Sequence, residues 1–491
     1  MSENALMKAN KQWFSAKVLI AAGLALLPVS GCMVGPDYHP PETPAPASWV
    51  GVAKTPTGQT SEATAQSAEL TQWWGQFNDP MLNELIDEAI KANLDLKIAE
   101  ARLRQARALS GIAKGGLWPS VTATGGYQRM HAAGVTPDDQ AKDLYLSGLD
   151  AVWELDLFGG IRRNVESANA NIQAAVENIR DAQVSLIAEV ALDYVQLRGY
   201  QQQIVVAQSN LEAQQHTAEI TRKLFKVGFN SALDVANAEA NVATTESQIP
   251  VFETSARQSM YALSVLLARQ PADLLEKLSP TGNLPAAPAK IPAGLPSELL
   301  RRRPDIREAE AQLHAATAQI GVAVAQFFPA FSLTGTVNWN SNLLRTWFSN
   351  ANRSYSFGPS LNWPLFQGGA IASNVRLQEA LRDQAFMTYQ ETVLSAFQDV
   401  ENALIALEKE QEHRKSLADA VAANSKAVDL SLQLFTEGQI AFLNVLIAQE
   451  SLYTSENALV QSQSNIITDI IALYKALGGG WETVPETAAS K

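Results

Sequence analysis

The sequence predicts a mainly α-helical fold with two strand pairs, built from one helix, strand, strand, long helix, return helix unit written twice. Three observations lead there: a self-similarity at an offset of 210 residues, a proline-free stretch from Ile161 to Ile249 with heptad spacing, and two pairs of runs that alternate in polarity.

The repeat sets the organisation. Asp95, Ala99, Glu100, Ala101 and Leu103 return as Asp305, Ala309, Glu310, Ala311 and Leu313. Pro119, Gly125, Gly148 and Trp153 return as Pro329, Gly335, Gly358 and Trp363. The register holds to the end, where Leu224, Phe225, Gly228, Leu233, Val235 and Ala238 match Leu434, Phe435, Gly438, Leu443, Val445 and Ala448, and Leu263 and Leu267 match Leu473 and Leu477. A solenoid repeat is roughly 20 to 50 residues long, so a period this large marks the duplication of a whole supersecondary assembly. The chain thus divides into a first repeat at 71–270, a proline-rich connector at 271–296 and a second repeat at 297–480.

A chain of 491 residues would hold two or three average domains, yet the repeat argues for one architecture of two interleaved halves. Charged residues make up 18% and the net charge is −13, so the basic surplus a nucleic-acid binder needs is missing. The acid excess reads as surface solvation, the competing reading being attraction of cationic ligands.

At the N-terminus Lys8, Lys11 and Lys17 precede an apolar run from Val18 to Val29, closed by Val29-Ser30-Gly31-Cys32. The run is too short to span a bilayer, so residues 1–31 read as a lipoprotein signal peptide, with Met7 as an alternative start. Cys32 is then the lipidation site; the competing reading is a buried free cysteine. Met33 stands next, where inner-membrane lipoproteins carry Asp, which points to outer-membrane sorting. Residues 32–70, rich in Pro, Gly, Thr and Ala, form an extended segment, and residues 481–491 a flexible tail.

Asp79-Pro80 supplies an N-cap and an N1 proline for a helix that runs to about Ala113. At Trp118-Pro119 the period changes to two: Val121, Ala123, Gly125 and Tyr127 share one face of a strand near 118–130. Tyr145, Ser147, Leu149, Ala151, Trp153 and Leu155 do the same near 143–157. The second half repeats this with Phe331, Leu333, Gly335, Val337 and Trp339 near 328–340, and Tyr355, Phe357, Pro359, Leu361 and Trp363 near 353–366. Aromatic ends and alternating polarity suit a transmembrane strand, and they suit a half-buried soluble hairpin as well. Four strands cannot close a barrel, and an open edge in lipid costs several kcal/mol per unsatisfied peptide group. A spanning structure therefore needs other copies, and three would supply twelve strands.

In the first long helix Ile161, Val165, Ala168, Ile172, Ala175, Ile179, Ala182 and Leu186 step alternately by four and three, the spacing of a coiled-coil seam. About 66 residues to Lys226, at about 1.5 Å each, make a rod of roughly 100 Å. Alanine in the seam lets neighbouring backbones approach closely. Both rods end at glycine turns, Val227-Gly228-Phe229-Asn230 and Glu437-Gly438-Gln439-Ile440, after which return helices start near Leu233 and Leu443.

The lipobox with Gly35-Pro36-Asp37-Tyr38, Phe77-Asn78-Asp79-Pro80, Asn93 to Ala106, Trp153 to Gly159, Gly294 to Arg307 and Leu473 to Trp481 together resemble one family. It is the lipoprotein branch of the outer-membrane channels of tripartite efflux systems, the TolC- and OprM-like proteins also called NodT-type. The resemblance implies a homotrimer whose twelve-stranded outer-membrane β-barrel continues into a twelve-helix α-barrel. It implies passive conduction, energised by an inner-membrane RND-type transporter through a periplasmic adaptor, with no cofactor beyond the lipid on Cys32. The family's adaptor-contacting tips map to Val227, Gly228, Glu437 and Gly438, and its apolar constriction to Leu443. One helical turn later the family often carries Asp where this chain has Ile447, which predicts closure by apolar packing, with Leu233 and Asn237 at the first-half equivalents. The alternative is a lipid-anchored periplasmic coiled-coil scaffold without a channel.

An enzyme has little support. His39, His131, His216, His314 and His413 are scattered with no metal-ligand spacing, and no phosphate loop, dinucleotide fingerprint or nucleophile elbow occurs. Arg301-Arg302-Arg303-Pro304-Asp305 stands at a helix start, where structural ion pairing is the expected role.

Overall fold

The computed structural model describes residues 33–51, 61–64, 70–131 and 141–482. In the first half a short strand β1 (Glu62–Thr64) precedes α1 (Pro80–Ala92), α2 (Leu94–Gly115), β2 (Ser120–Met130), β3 (Lys142–Leu155), α3 (Gly160–Lys226) and α4 (Ala232–Leu266). Then α5 (Leu275–Leu278), β4 (Lys290–Pro292) and α6 (Pro296–Arg302) lead into the second half. That half comprises α7 (Pro304–Ala325), β5 (Ala330–Ser341), β6 (Arg353–Asn362), α8 (Ala370–Thr436) and α9 (Phe442–Ala476). The duplication is visible in the lengths: both long helices have 67 residues and both return helices 35.

Four expectations need correction. The helix from Pro80 does not run unbroken to Ala113, because Asn93 leaves the helical conformation (φ −52°, ψ 138°) and its Oδ1 accepts from the amides of Asp95 and Leu96, starting α2 afresh. The strands are trimmed: β2 and β5 start just after Pro119 and Pro329, β3 ends at Leu155 rather than 157, and β6 at Asn362 rather than 366, ahead of Pro364. Of the tail expected to be flexible at 481–491, the first two residues are held, and 483–491 lie outside the described residues. Trp481 lies beneath the guanidinium groups of Arg180 and Arg307, 4.5 and 5.6 Å from its ring centroid, and Glu482 pairs with Arg302 at 2.6 Å. Finally, most of the apolar seam positions on α3 are only half-buried. The stripe the chain itself covers lies two residues on, at Arg163, Ser167, Ala170, Ala174 and Glu177, where small residues permit close approach and the charges are paired.

The chain forms two compact units. One contains residues 40–106, 171–312 and those from 385 onward, and its core is the main hydrophobic cluster. Trp73, Phe77, Leu82, Ile187, Tyr194, Leu263 and Tyr474 are buried there, and Trp73 stacks on Tyr474 with centroids 5.0 Å apart. Each such side chain contributes about 1.5–3 kcal/mol by burial. The connector and N-terminal segment dock on this unit: Trp49 Nε1 donates to the Gly294 carbonyl, and β1 pairs in parallel with β4, a contact too short to show any period in sequence.

The other unit holds the described residues of 33–39, 107–170 and 313–384. It is organised on an antiparallel sheet of order β2-β3-β5-β6. The residues just after Cys32 are fixed here. Val34 N donates to the Phe158 carbonyl, and Arg163, itself buried, donates to Asp37 at 2.6 Å and Glu166 at 2.8 Å. His314 reaches the same Glu166 at 2.9 Å and stacks against Tyr38, centroids 4.3 Å apart. Burial raises the Glu166 carboxyl, but the bonds from His314 and Arg163 outweigh it and hold the group below its ordinary value.

Candidate functional site

Cross-strand partners share a face of a sheet, and the register sorts this one into two chemistries. One rung runs Val121, Ala151, Gly335, Phe357, and the next of the same face runs Ala123, Leu149, Val337, Tyr355. The rung on the opposite face runs Thr122, Asp150, Thr336, Ser356, succeeded by Thr124, Gly148, Asn338, Ser354. The polar face is cross-linked, with Thr336 and Ser356 hydroxyls 3.2 Å apart. Met130, Leu144, Leu146, Val152 and Ala330 are the apolar exceptions on it. The apolar face lies bare: Phe357 is 82% and Tyr355 65% exposed. A soluble protein rarely exposes so continuous an apolar surface. Among the described residues neither outer edge, β2 or β6, has a partner strand in this chain. Nor, among them, is any helix long and apolar enough to cross a membrane.

The helix-side end of this sheet is tied down twice. Trp153 Nε1 donates to the Leu117 carbonyl at 3.0 Å, and Trp363 Nε1 to the Phe327 carbonyl at 3.1 Å. These indoles combine an apolar body with a satisfied polar tip, the behaviour of interfacial tryptophan.

At the helix tips the two repeats make the same turn. Gly228 (φ +82°) and Gly438 (φ +72°) are left-handed, and bonds from Phe229 N to Leu224 O and from Gln439 N to Leu434 O close each helix end. The return helices begin differently. Ser231 and Asp234 form a capping box at the start of α4, whereas Ala441 offers α9 no side-chain cap. Val227 and Glu437 are exposed at the tips, the latter hydrogen-bonded to Gln433 and Gln439.

The starts of α4 and α9 meet in a small cluster of Ala218, Ala238, Phe435, Phe442 and Val445. Turned away from it, one turn apart on α9, stand Leu443 at 56% and Ile447 at 53% exposure. Leu233 is exposed at the matching place on α4, and Asn237 half-buried. The structure thus brings each predicted pair onto one helix face, free of the chain's own core. Cys32 lies outside the described residues. Sequence reasoning missed the polar seam beside this site, where Gln449 Nε2 donates to Thr217 Oγ1 at 2.9 Å and Asn210 Nδ2 to Glu456. Its only sequence signal is amide and hydroxyl side chains at inward-facing positions of the rods.

Titratable groups converge in one cavity of about 480 Å³, lined by Asp181, Asp305, Asp399 and Asp469 with Arg303 and Lys475. Arg303 is engaged by Asp305 at 2.7 Å and Asp399 at 3.0 Å, the ion pairing expected of the arginine cluster. Burial and the nearby Glu410 push the Asp469 carboxyl up to about 6.

The outer membrane efflux protein family model matches residues 85–269 and 295–479, one match per repeat. Nodulation protein T of Rhizobium leguminosarum bv. trifolii is 32% identical over 461 residues, 93% of this chain and 96% of its own. The toluene efflux pump outer membrane protein TtgC of Pseudomonas putida is 33% identical over 472 residues, 95% and 96% of the two chains. Among solved structures, the outer-membrane channel OprN superposes with a TM-score of 0.84 at 38% identity, covering 92% of this chain and all of its own. The open state of the Neisseria gonorrhoeae MtrE outer membrane channel gives 0.78 at 31% identity, covering 92% and 99%.

Proposed function

Since this chain belongs to the outer membrane efflux protein family and is an outer-membrane exit duct of an efflux system, we propose how its residues build and close that duct. Three copies join β2 of one to β6 of the next, which satisfies every open edge and makes a twelve-stranded barrel. The apolar rungs face lipid and the polar rungs line the water path. That two-faced register is the observation that carries the reading. A scaffold outside the bilayer, the alternative, would leave the same apolar face in water.

Conduction is passive, and the chain works as a conduit rather than an enzyme. The tips at Val227, Gly228, Glu437 and Gly438 meet a periplasmic adaptor, which links the duct to an inner-membrane RND-type transporter. Leu443 and Ile447, with Leu233 and Asn237 beside them, close the periplasmic end by apolar packing, which excludes water without a charged ring. Cys32 carries the covalent lipid and no other cofactor is needed. The support is positional: Met33, the residue that follows Cys32 in sequence, packs over Gly159 at the helix-side foot of the sheet.

The test is reconstitution of the purified protein in planar bilayers. A heat-resistant trimer with discrete conductance steps is expected; a monomer that stays in the aqueous phase once Cys32 is replaced by Ser would sink the reading.

A further inference from the structure

The apolar face of the sheet stops at a cation. Its rungs carry no charge from Leu155, Phe331, Leu361 up to Ala123, Leu149, Val337, Tyr355, and the next is Gly125, Ser147, Trp339, Arg353. Arg353 therefore sits directly opposite Trp339, at the end remote from Gly160.

The connection from β5 to β6 is built against the same spot. It has two short 3-10 turns, Leu344–Thr346 and Asn350–Asn352, fixed by Ser341 Oγ with Thr346 Oγ1 at 2.9 Å and by Asn352 Nδ2 donating to Thr346 O at 2.7 Å. This lays Trp347 against Tyr145, centroids 5.4 Å apart, and Phe348 against Trp339 at 6.1 Å, with Trp347 and Phe348 stacked at 5.1 Å. Tyr145 and Trp339 both belong to the apolar face. The connection thus extends that face, and it leaves Phe348 68% and Leu344 63% exposed. Arg345 in the first turn and Arg353 are exposed, and no ion pair involves either among the described residues. Arg129 differs, since Asp143 stands 3.8 Å away.

Two free guanidinium groups beside bare aromatic and aliphatic side chains, at the upper limit of a lipid-facing surface, suit an amphiphile with phosphate at its head. Arginine offers a planar fork for phosphate, and aromatic rings rest at the level of headgroups. A free phosphate would meet only exposed cations, which bind little in water, and would leave Phe348 and Leu344 uncovered. Resting on the reading of the sheet as an outer-membrane barrel, we infer that Trp339, Leu344, Arg345, Phe348 and Arg353 form a binding surface for a phosphorylated membrane lipid of the outer leaflet. Its acyl chains lie along Trp339, Leu344 and Phe348, and its phosphate bridges Arg345 and Arg353.

The experiment uses the full-length trimer in detergent, with native mass spectrometry as readout. The probes are bisphosphorylated lipid A, the same molecule with its phosphates removed, and inorganic phosphate alone. The phosphorylated lipid is expected to be retained in preference to the dephosphorylated one. The pair R345A/R353A should weaken it by about twenty-fivefold, from roughly fivefold per arginine at an anionic surface. R129A should leave it within about twofold, because Asp143 already offsets that charge. R345Q alone, in an exposed turn, gives a milder loss should the double variant fail to assemble. Equal retention of the two lipids, displacement by inorganic phosphate, or an unchanged R345A/R353A would each overturn the inference. A wild-type protein that forms no pores in phosphatidylcholine vesicles would instead strike the barrel reading, whereas normal pores without lipid preference strike only this surface.

Discussion

Trp153 and Leu117 are joined by one hydrogen bond, indole to peptide carbonyl at 3.0 Å, and the second repeat makes the same bond between Trp363 and Phe327 at 3.1 Å. In each repeat the bond pins the helix-side end of a strand to the corner that precedes its hairpin. Trp153→Phe keeps an aromatic ring, though a smaller one, and removes the donor, so about 1 kcal/mol per bond is lost. The double variant W153F/W363F is expected to lower the temperature at which the trimer dissociates on gel electrophoresis, with conductance per pore unchanged. A double variant as heat-resistant as the parent would show that these indoles anchor nothing.

The closing site makes a sharper demand. Leu443 and Ile447 stand exposed one turn apart while Phe442 and Val445 bury, so only the first pair is available to face a pore. Ile447→Ser removes the apolar surface that expels water and should raise resting conductance severalfold, whereas Ile447→Leu should not. Single-channel recording in the absence of an adaptor decides it, and a Ser variant that stays as tightly shut as the parent would rule out an apolar closure there.

Much of the fold was legible because its signals are local. Missing prolines announced α3, left-handed glycine announced Gly228 and Gly438, and period-two polarity announced the faces that the register then displayed. Features made by distant partners were not. Asn93 breaks a helix by capping the next one with its own side chain, a signal that the unbroken apolar period on either side outweighed. Trp481 is held by Arg180 and Arg307, far away in sequence, so it read as tail. At the candidate closing site periodicity put Leu443 and Ile447 on one face, but choosing that face needed the resemblance to a family.

Asn93 offers a direct measure of that hidden break. It is buried, its Oδ1 caps α2, and its Nδ2 donates to the Leu266 carbonyl at 2.9 Å. Asn93→Ala forfeits the cap and strands a carbonyl, together about 2–3 kcal/mol. Urea unfolding monitored by circular dichroism should show a lower midpoint with an unchanged slope. A midpoint equal to the parent's would mean that α1 and α2 are held apart by packing alone.

Gly321 tests how the segment after Cys32 is held. A Cβ there would stand 2.7 Å from Arg163 Cγ and 2.9 Å from the Val34 carbonyl, while a Cβ on Gly35 would stand 2.5 Å from Gly321 Cα. Gly321→Ala should therefore lift residues 33–37 off their seat and speed limited proteolysis near Val34. Gly111→Ala meets nothing within 4 Å and serves as the control, with a gain of about 0.5–1 kcal/mol from helix propensity. Cleavage at the parental rate in Gly321→Ala would show that the seat is looser than these distances imply.

Acid and base act on this protein through opposing groups. Burial lifts Asp193 and Asp469 from 3.8 up to about 6 each, with repulsion from Glu189 and Glu410 added. Between those two values the folded chain holds protons that the unfolded chain has released, so stability falls as pH rises through this window. Below it both states are neutral and the contribution is whole; above it the loss is constant. Glu166, held below its ordinary value, has the opposite sign, contributing at neutral pH and losing that contribution in acid. The pair D193N/D469N removes the first effect alone. Its melting temperature should exceed the parent's at about pH 7.5 and converge with it near pH 3.5, below both values. Parallel melting curves for parent and variant across that range would exclude these two carboxyls as the source of any pH dependence.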